Sequence, residues 1–325
     1  MNFDDMALYD VSDDEKYYMW SLKMYRYRDG TQRWKHLPVS YDKHSAPNRI
    51  NLITWNIDFQ SPYPTERMQG AMKFLQEYLG DPPSPCVILL QEVSNKVLPY
   101  LLEVEWIQRH FLITPTSKVK WNGKGTYGLV TLVEKSIPVV HSSIVHFANK
   151  VVTDMERAVL LTDVKLRVPG TGSGKDEKCL VVRIANVHLE SLGYLMAVKK
   201  RREQLKFCAW IVREPDEQHP FHGGVVAGDF NAIDSDSDSQ VTEEGLKDHG
   251  PEMELREQFT WGVNDDRGGY PPGRLDKIVY TPYRGFRMTI PERLGFGLTI
   301  NSRGKEECVS DHCALSCNLE AQRRG

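Results

Sequence analysis

No run of apolar residues in this chain reaches the roughly 18 that a membrane-spanning helix needs, so the sequence is read as that of a soluble protein without a membrane partner. Cysteine is sparse, with six among 325 residues, at positions 86, 179, 208, 308, 313 and 317. The opening MNFDDMALYDVSDDE is acidic and polar rather than a secretory leader, and so few cysteines exclude a disulfide scaffold. The expected location is intracellular, nuclear or cytoplasmic. No CxxC pair is present, which argues against zinc at Cys308, Cys313 and Cys317; on a strand, Cys313, Leu315, Cys317 and Leu319 share one face as small core hydrophobes would. An excess of one charge is also missing: the formal net charge is −3. That excludes a general nucleic-acid wrapper, but not an enzyme that grips a few phosphates at one end of a strand.

Several chemical signatures are absent as well. There is no Gly-x-Ser-x-Gly elbow, and no cysteine is placed as an obvious nucleophile. The glycines of VPGTGSGKDEK do not spell a P-loop. The run from Asp234 to Ser239 has no glycine at the sixth position of a calcium loop and Gly245 at the twelfth, so it is read as a flexible acidic loop.

What the chain does have is a globular composition, 40% hydrophobic and 26% charged, with short strand-like runs alternating with amphipathic helices. Residues 1–48 stand apart: acidic first, then aromatic and basic in YYMWSLKMYRYRDGTQRWKHLP. Asp29-Gly30 between two β-rich runs predicts an N-terminal extension with a β-hairpin packed on the main domain. Residues 49–325 are expected to form one main domain, with no internal linker, and any catalytic residues are expected there. Helices are predicted over 65–79, 96–108 and 195–212, with strands at INLITWNI, CVILLQEV, GLVTLVEK, AVLLTDVKL, CLVVRIANVHL, GGVVAGDFN, GRLDKIVY and SDHCALSCNLE. Buried runs in both halves point to an α/β protein with two sheets packed face to face and helices outside.

The strand ends carry the chemistry. Asn56 ends one apolar run and Glu92 another; Asn186 and His188 share a face, as do Asp229 and Asn231. The last strands bring Asp276 and the pair Asp311-His312. Burying these groups without partners is costly, so they are expected to meet at one polar site. The inventory suits hydrolysis of a phosphate ester. Glu92 is a hard oxygen ligand for a divalent cation, Asp229 can deprotonate water, and Asn56, His188, Asn231 and His312 can stabilise charge on phosphorus.

The ordered set TWN, LQE, NVHLES, GDFN, RLDKI and SDH resembles the endonuclease/exonuclease/phosphatase superfamily across nearly all of residues 50–320. Within it the chain is most similar to the tyrosyl-DNA phosphodiesterase 2 branch, through TWNID and HLES and through Tyr127, Arg157, Arg201 and Trp261 in their local contexts. The resemblance implies a four-layer α/β sandwich with two central mixed sheets flanked by helices. It implies Mg²⁺ (with Mn²⁺ as a substitute) held by Glu92, with Asp311 completing the metal side, and water positioned by Asp229. Asn56, His188, Asn231 and His312 would surround the phosphate, with Asp276 orienting His312. Tyr127, Arg157, Ser191, Arg201 and Trp261 would contact substrate. The implied reaction removes a tyrosine-linked topoisomerase remnant from single-stranded or 5′-end DNA, by a chain expected to be a monomer. The alternative is the same metal-dependent hydrolysis on RNA or a phosphoinositide, and a binding protein on a decayed scaffold is disfavoured because the site residues are all present. The chain departs from the branch at Ile233, where an arginine is usual, and at Leu275, where a phenylalanine is usual. Nor do its first 48 residues look like the ubiquitin-binding domain of vertebrate members.

Overall fold

Two β-α-β units set the architecture. In the first, strand Arg49–Asn56 leads through helix Pro64–Leu79 to strand Cys86–Ser94, and the two strands pair in parallel. In the second, strand Cys179–His188 leads through helix Leu195–Arg213 to strand Gly224–Asp229, again in parallel. All other strand pairs among the described residues are antiparallel. This computed structural model describes residues 6–7, 17–37, 46–121, 125–148, 152–171, 178–215, 219–234, 236–264, 270–283 and 285–323.

Each unit lies inside a larger sheet. The 9-stranded sheet holds the first unit and the C-terminal strand Ala314–Ala321, which pairs with Arg49–Asn56; the 8-stranded sheet holds the second unit and strand Asp276–Tyr280. Alternation then builds four layers. Ile50, Leu52, Val87 and Leu89 face Val182, Ile184, Val225 and Ala227 between the sheets. The opposite faces are covered by helices: Ile53, Trp55 and Ile88 pack with Met68 and Leu75, and Ala185, Val187 and Val226 with Leu205 and Ala209. The fold is the α/β sandwich that the resemblance implied.

Helix Pro64–Leu79 matches the predicted stripe, with Met68, Ala71, Met72, Leu75 and Leu79 buried. Proline presets its first turn and Gly80, at φ 95°, ends it. The single helix predicted over 96–108 is instead two, Leu98–Glu103 and Glu105–His110, separated by extended Val104. The buried residues explain the break: Leu98 and Leu101 lie on one side of a helix, whereas Trp106 and Ile107 would fall on the other. Cys317, Leu315 and Leu319 share the inner face, as their spacing predicted.

The N-terminal residues supply edges to both sheets. Strand Tyr17–Ser21 pairs with Val139–Phe147 of one sheet, and the hairpin of Tyr25–Arg28 and Arg33–His36 joins Phe111–Thr114 of the other. The acidic run after Asp229 differs from a solvated loop. Asp234 pairs with Arg201, Asp236 with Arg202, and Asp238 with Arg274 and Lys277, while Ser237–Glu243 is helical. Cations on the neighbouring helix and strand account for this order. Among the described residues no helix is long and apolar enough to cross a membrane.

Candidate active site

The layer between the sheets is apolar along most of its length and turns polar at one rim. Asn56 continues the face of Ile50 and Leu52, His188 that of Val182 and Ile184, Asp229 that of Val225 and Ala227, and Asp276 that of Ile278. Plain alternation therefore delivers four of the residues. Glu92 is different. Gln91 shares parity with Val87 and Leu89, so strict alternation would send Glu92 to the helix-covered face. The pairing of Cys86–Ser94 with Tyr127–Glu134 slips between Leu90 and Val93, and Glu92 adopts φ 57° there. That irregularity turns its carboxylate into the rim.

The two carboxylates then meet on one amide. Asn56 Nδ2 donates to Asp229 Oδ2 at 2.9 Å and to Glu92 Oε1 at 3.2 Å. Its N–H groups are thus spent on orienting the acids, and its Oδ1 accepts from the Asp58 backbone at 3.0 Å. Glu92 Oε2 also accepts from the Phe59 backbone at 3.1 Å. Asn231 sits on a tight turn at φ 47°, where its N–H donates to Asp229 Oδ1 at 2.8 Å and its side chain to Leu189 O at 3.0 Å.

Two histidines flank this pair and differ in charge. His188 Nε2 is 3.4 Å from Asp229 Oδ2 and 3.6 Å from Glu92 Oε1. On its far side Arg157 Nη1 lies 2.9 Å from Nδ1, and because a guanidinium can only donate, Nδ1 must accept. The ring is therefore neutral with its proton on Nε2, aimed into the site. Burial and the Arg157 charge both hold its pKa well below the usual value. For His312, burial alone would push the pKa down, but the carboxylates of Asp276 and Asp229 hold it well above. His312 Nδ1 is 2.8 Å from Asp276 Oδ2, and Nε2 is 3.8 Å from Asp229 Oδ2. Ser310 locks this loop to the first strand, donating to Asn56 O at 2.7 Å and accepting from the His312 N–H at 3.1 Å.

Two groups have metal-ligand spacing: Glu92, His188 and Asp229, and Asp229, Asp276 and His312. The donor set suits a hard divalent cation. Burial raises Glu92 and brings Asp229 up to about 7, and no lysine or arginine among the described residues is in ion-pair contact with either. Asp276 Oδ1, fully buried, has no hydrogen-bond partner among the described residues. Such a cluster keeps its negative charge at neutral pH when a cation is beside it.

The remaining sequence-predicted residues fall into distinct positions. Tyr127 and Arg157 line a cleft beside His188, with Arg157 Nη1 3.0 Å from the Tyr127 hydroxyl. Trp261 pairs with the backbone of His312 and donates to Asp311 Oδ2 at 2.9 Å. Asp311, assigned to the metal side by the resemblance, thus turns an oxygen to Trp261 and belongs to neither metal-spaced group. Arg201 is buried, donating to Glu190 O at 2.8 Å, Leu192 O at 3.1 Å and Asp234 Oδ2 at 2.7 Å. It organises a loop and presents no surface to a substrate. Ser191 is half-buried in that loop.

Sequence reasoning missed Phe59 and Glu190. Phe59 stacks on Tyr127, with centroids 4.0 Å apart, at the mouth of the site. An aromatic three residues after the polar strand end at Asn56 was its signal. Glu190 is fully buried and accepts from Thr153 Oγ1 at 2.8 Å, the Asp154 N–H at 2.7 Å and Gln204 at 3.1 Å, which fixes the loop that carries Arg157. An acid following His188 in an otherwise apolar run was the signal there.

The Endonuclease/Exonuclease/phosphatase family model matches residues 53–312, and the chain belongs to that family. It is a hydrolase of phosphodiester bonds of the kind whose members depend on a divalent metal. Among solved structures it is similar to TDP2 from Caenorhabditis elegans, at 24% identity and a TM-score of 0.61, over 84% of this chain and 74% of that one. It is also similar to Danio rerio TDP2 complexed with a single-strand DNA product, at 21% identity, a TM-score of 0.60, and 84% and 99% coverage. The Bacteroides vulgatus endonuclease/exonuclease/phosphatase gives 15% identity, a TM-score of 0.60, and 84% and 99% coverage. These likenesses concern the fold. No curated protein matches the sequence.

Proposed function

We propose that the chain is a Mg²⁺-dependent phosphodiesterase that hydrolyses a 5′-phosphotyrosyl–DNA linkage and leaves a 5′ phosphate, a reaction of DNA repair. The observation that carries the reading is the meeting of Glu92 Oε1 and Asp229 Oδ2 on Asn56 Nδ2, at 3.2 and 2.9 Å, with His188 and His312 on either side. The likeness to TDP2 structures, one of them a complex with single-strand DNA product, supports the substrate.

Glu92 and Asp229 would hold the cation, which when bound offsets their charge and that growing on the phosphoryl oxygens. Asp229, held in place by Asn56 Nδ2 and the Asn231 N–H, accepts the proton of the attacking water. The Nε2–H groups of His188 and His312 donate to the phosphoryl oxygens, where charge develops. Asn231 has one N–H bonded to Leu189 and offers the other to the same oxygens. The tyrosyl leaving group is a phenolate of pKa about 10 and departs with little help from an acid. Tyr127 and Phe59 give stacking surface at the mouth for a base or for the tyrosyl ring.

Purified protein with Mg²⁺ should be offered a 5′-tyrosyl oligonucleotide, an oligoribonucleotide and a phosphoinositide. Turnover of the first is expected, with Glu92→Gln and Asp229→Asn each lowering it about 10³-fold while the melting profile is kept. Turnover of RNA or lipid in its place would overturn the substrate. No turnover that EDTA abolishes, on any of the three, would overturn the metal-dependent reading.

A further inference from the structure

The chain leaves its catalytic strand through an exposed apolar loop that runs into the first turn of helix Leu195–Arg213. Leu192, Tyr194, Leu195 and Met196 are 50%, 46%, 69% and 51% exposed, within eight residues of His188. Across from them Ile233, two residues after Asn231, is 49% exposed, and its Cγ2 would lie 4.0 Å from a Cβ placed on Gly193. Leu189 O accepts from Asn231, so both segments are tied together at the site. An apolar patch this dense beside a polar pocket marks a binding surface.

The lip is also preformed. Buried Arg201 bonds the carbonyls of Glu190 and Leu192, and Leu192 stands at φ 74°, a strained conformation for a bulky residue. Three of the four neighbouring cations are already occupied: Lys200 pairs with Asp154, Arg201 with Asp234 and Arg202 with Asp236. Lys199 stays exposed, further along the helix. A phosphate backbone needs cations along its track, and on this side of the mouth Lys199 alone of these four is left outside an ion pair among the described residues, where apolar surface is offered. We propose that this lip binds the apolar side chains of the peptide attached to the leaving tyrosine, so that Leu192, Tyr194, Leu195, Met196 and Ile233 set specificity for the peptide part of the substrate. The proposal rests on the tyrosyl–DNA reading above.

The test compares a 5′ adduct of tyrosine alone with one of tyrosine inside an apolar heptapeptide, using wild type and the surface variant Leu195→Ser/Met196→Ser/Ile233→Ser. Wild type is expected to show a KM roughly tenfold lower for the peptide adduct, the factor that burying about 60 Å² of apolar surface gives. The variant should lose that preference while kcat, and all kinetics with tyrosine alone, stay unchanged. Equal KM values in wild type, or a preference that survives in the variant, overturn the proposal. If neither adduct is turned over, the tyrosyl reading fails, and the lip is then judged with phenyl and methyl p-nitrophenyl phosphate diesters. A lower KM for the phenyl ester in wild type alone upholds an apolar subsite in the lip, though not its peptide occupant; identical behaviour of both proteins sinks it.

Discussion

Arg157 and His188 carry a proton assignment that a single substitution can read. With Arg157 Nη1 2.9 Å from His188 Nδ1, the imidazole is held neutral and its Nε2–H faces the acids. Arg157→Leu removes that constraint and releases the ring to take up a proton. We expect kcat to fall on the order of 10²-fold, with an acid limb at higher pH than in wild type, because the His188 pKa returns toward its ordinary value. A pH–rate profile checks this, and an unshifted acid limb counts against the assignment. Residue identities were the most legible level of the sequence: Asn56, His188, Asp229, Asn231, Asp276 and His312 all gather at one rim. Arg201 shows where that legibility ends. A charged residue in VKKRREQL gives no sign that it will be buried under two carbonyls, since those carbonyls come from a loop whose path depends on tertiary packing.

Among elements, the strand Cys86–Ser94 shows how a local irregularity sets chemistry. Its apolar run announced a buried strand, but the slip between Leu90 and Val93 that turns Glu92 inward has no signature in the residues themselves. The same holds for extended Val104, although there the mismatched phases of Leu98 and Leu101 against Trp106 and Ile107 were present in the sequence. The loop before Arg157 hangs on Glu190, whose carboxylate meets Thr153, Asp154 and Gln204. Glu190→Ala would leave these buried donors unsatisfied, at a cost of about 2–3 kcal/mol in urea denaturation. Since Arg157 is carried by this loop, kcat should drop as well; a variant of wild-type stability would show that the network holds nothing.

For the molecule as a whole, the N-terminal residues are edge strands of both sheets at once, a role that the aromatic hairpin pattern alone does not reveal. Deleting residues 1–37 uncovers Val139–Phe147 and Phe111–Thr114 together. Exposed edges template association, so the truncated protein should melt at lower temperature and sediment as concentration-dependent aggregates. Unchanged melting and monodisperse sedimentation would contradict this. The same junction gives a pH dependence. His146, stacked on Tyr18 at 4.9 Å, has its pKa lowered by burial to about 4. With a folded pKa below the unfolded value near 6.5, its contribution is complete above about pH 6.5 and is lost as pH falls through 4, up to about 3 kcal/mol. His146→Phe should flatten the stability curve in that window, as measured by urea titration at fixed pH values.

The central claim is that Glu92 and Asp229 serve one divalent cation at the rim between the sheets. Its most direct measurement is the rate of phosphodiester hydrolysis as a function of Mg²⁺ concentration in wild type, Glu92→Gln and Asp229→Asn. Saturable activation in wild type is expected, with half-saturation at least about tenfold higher and a reduced maximum in both variants, because each removes one of the two charges that hold the ion. Superimposable Mg²⁺ curves for the three proteins would contradict it.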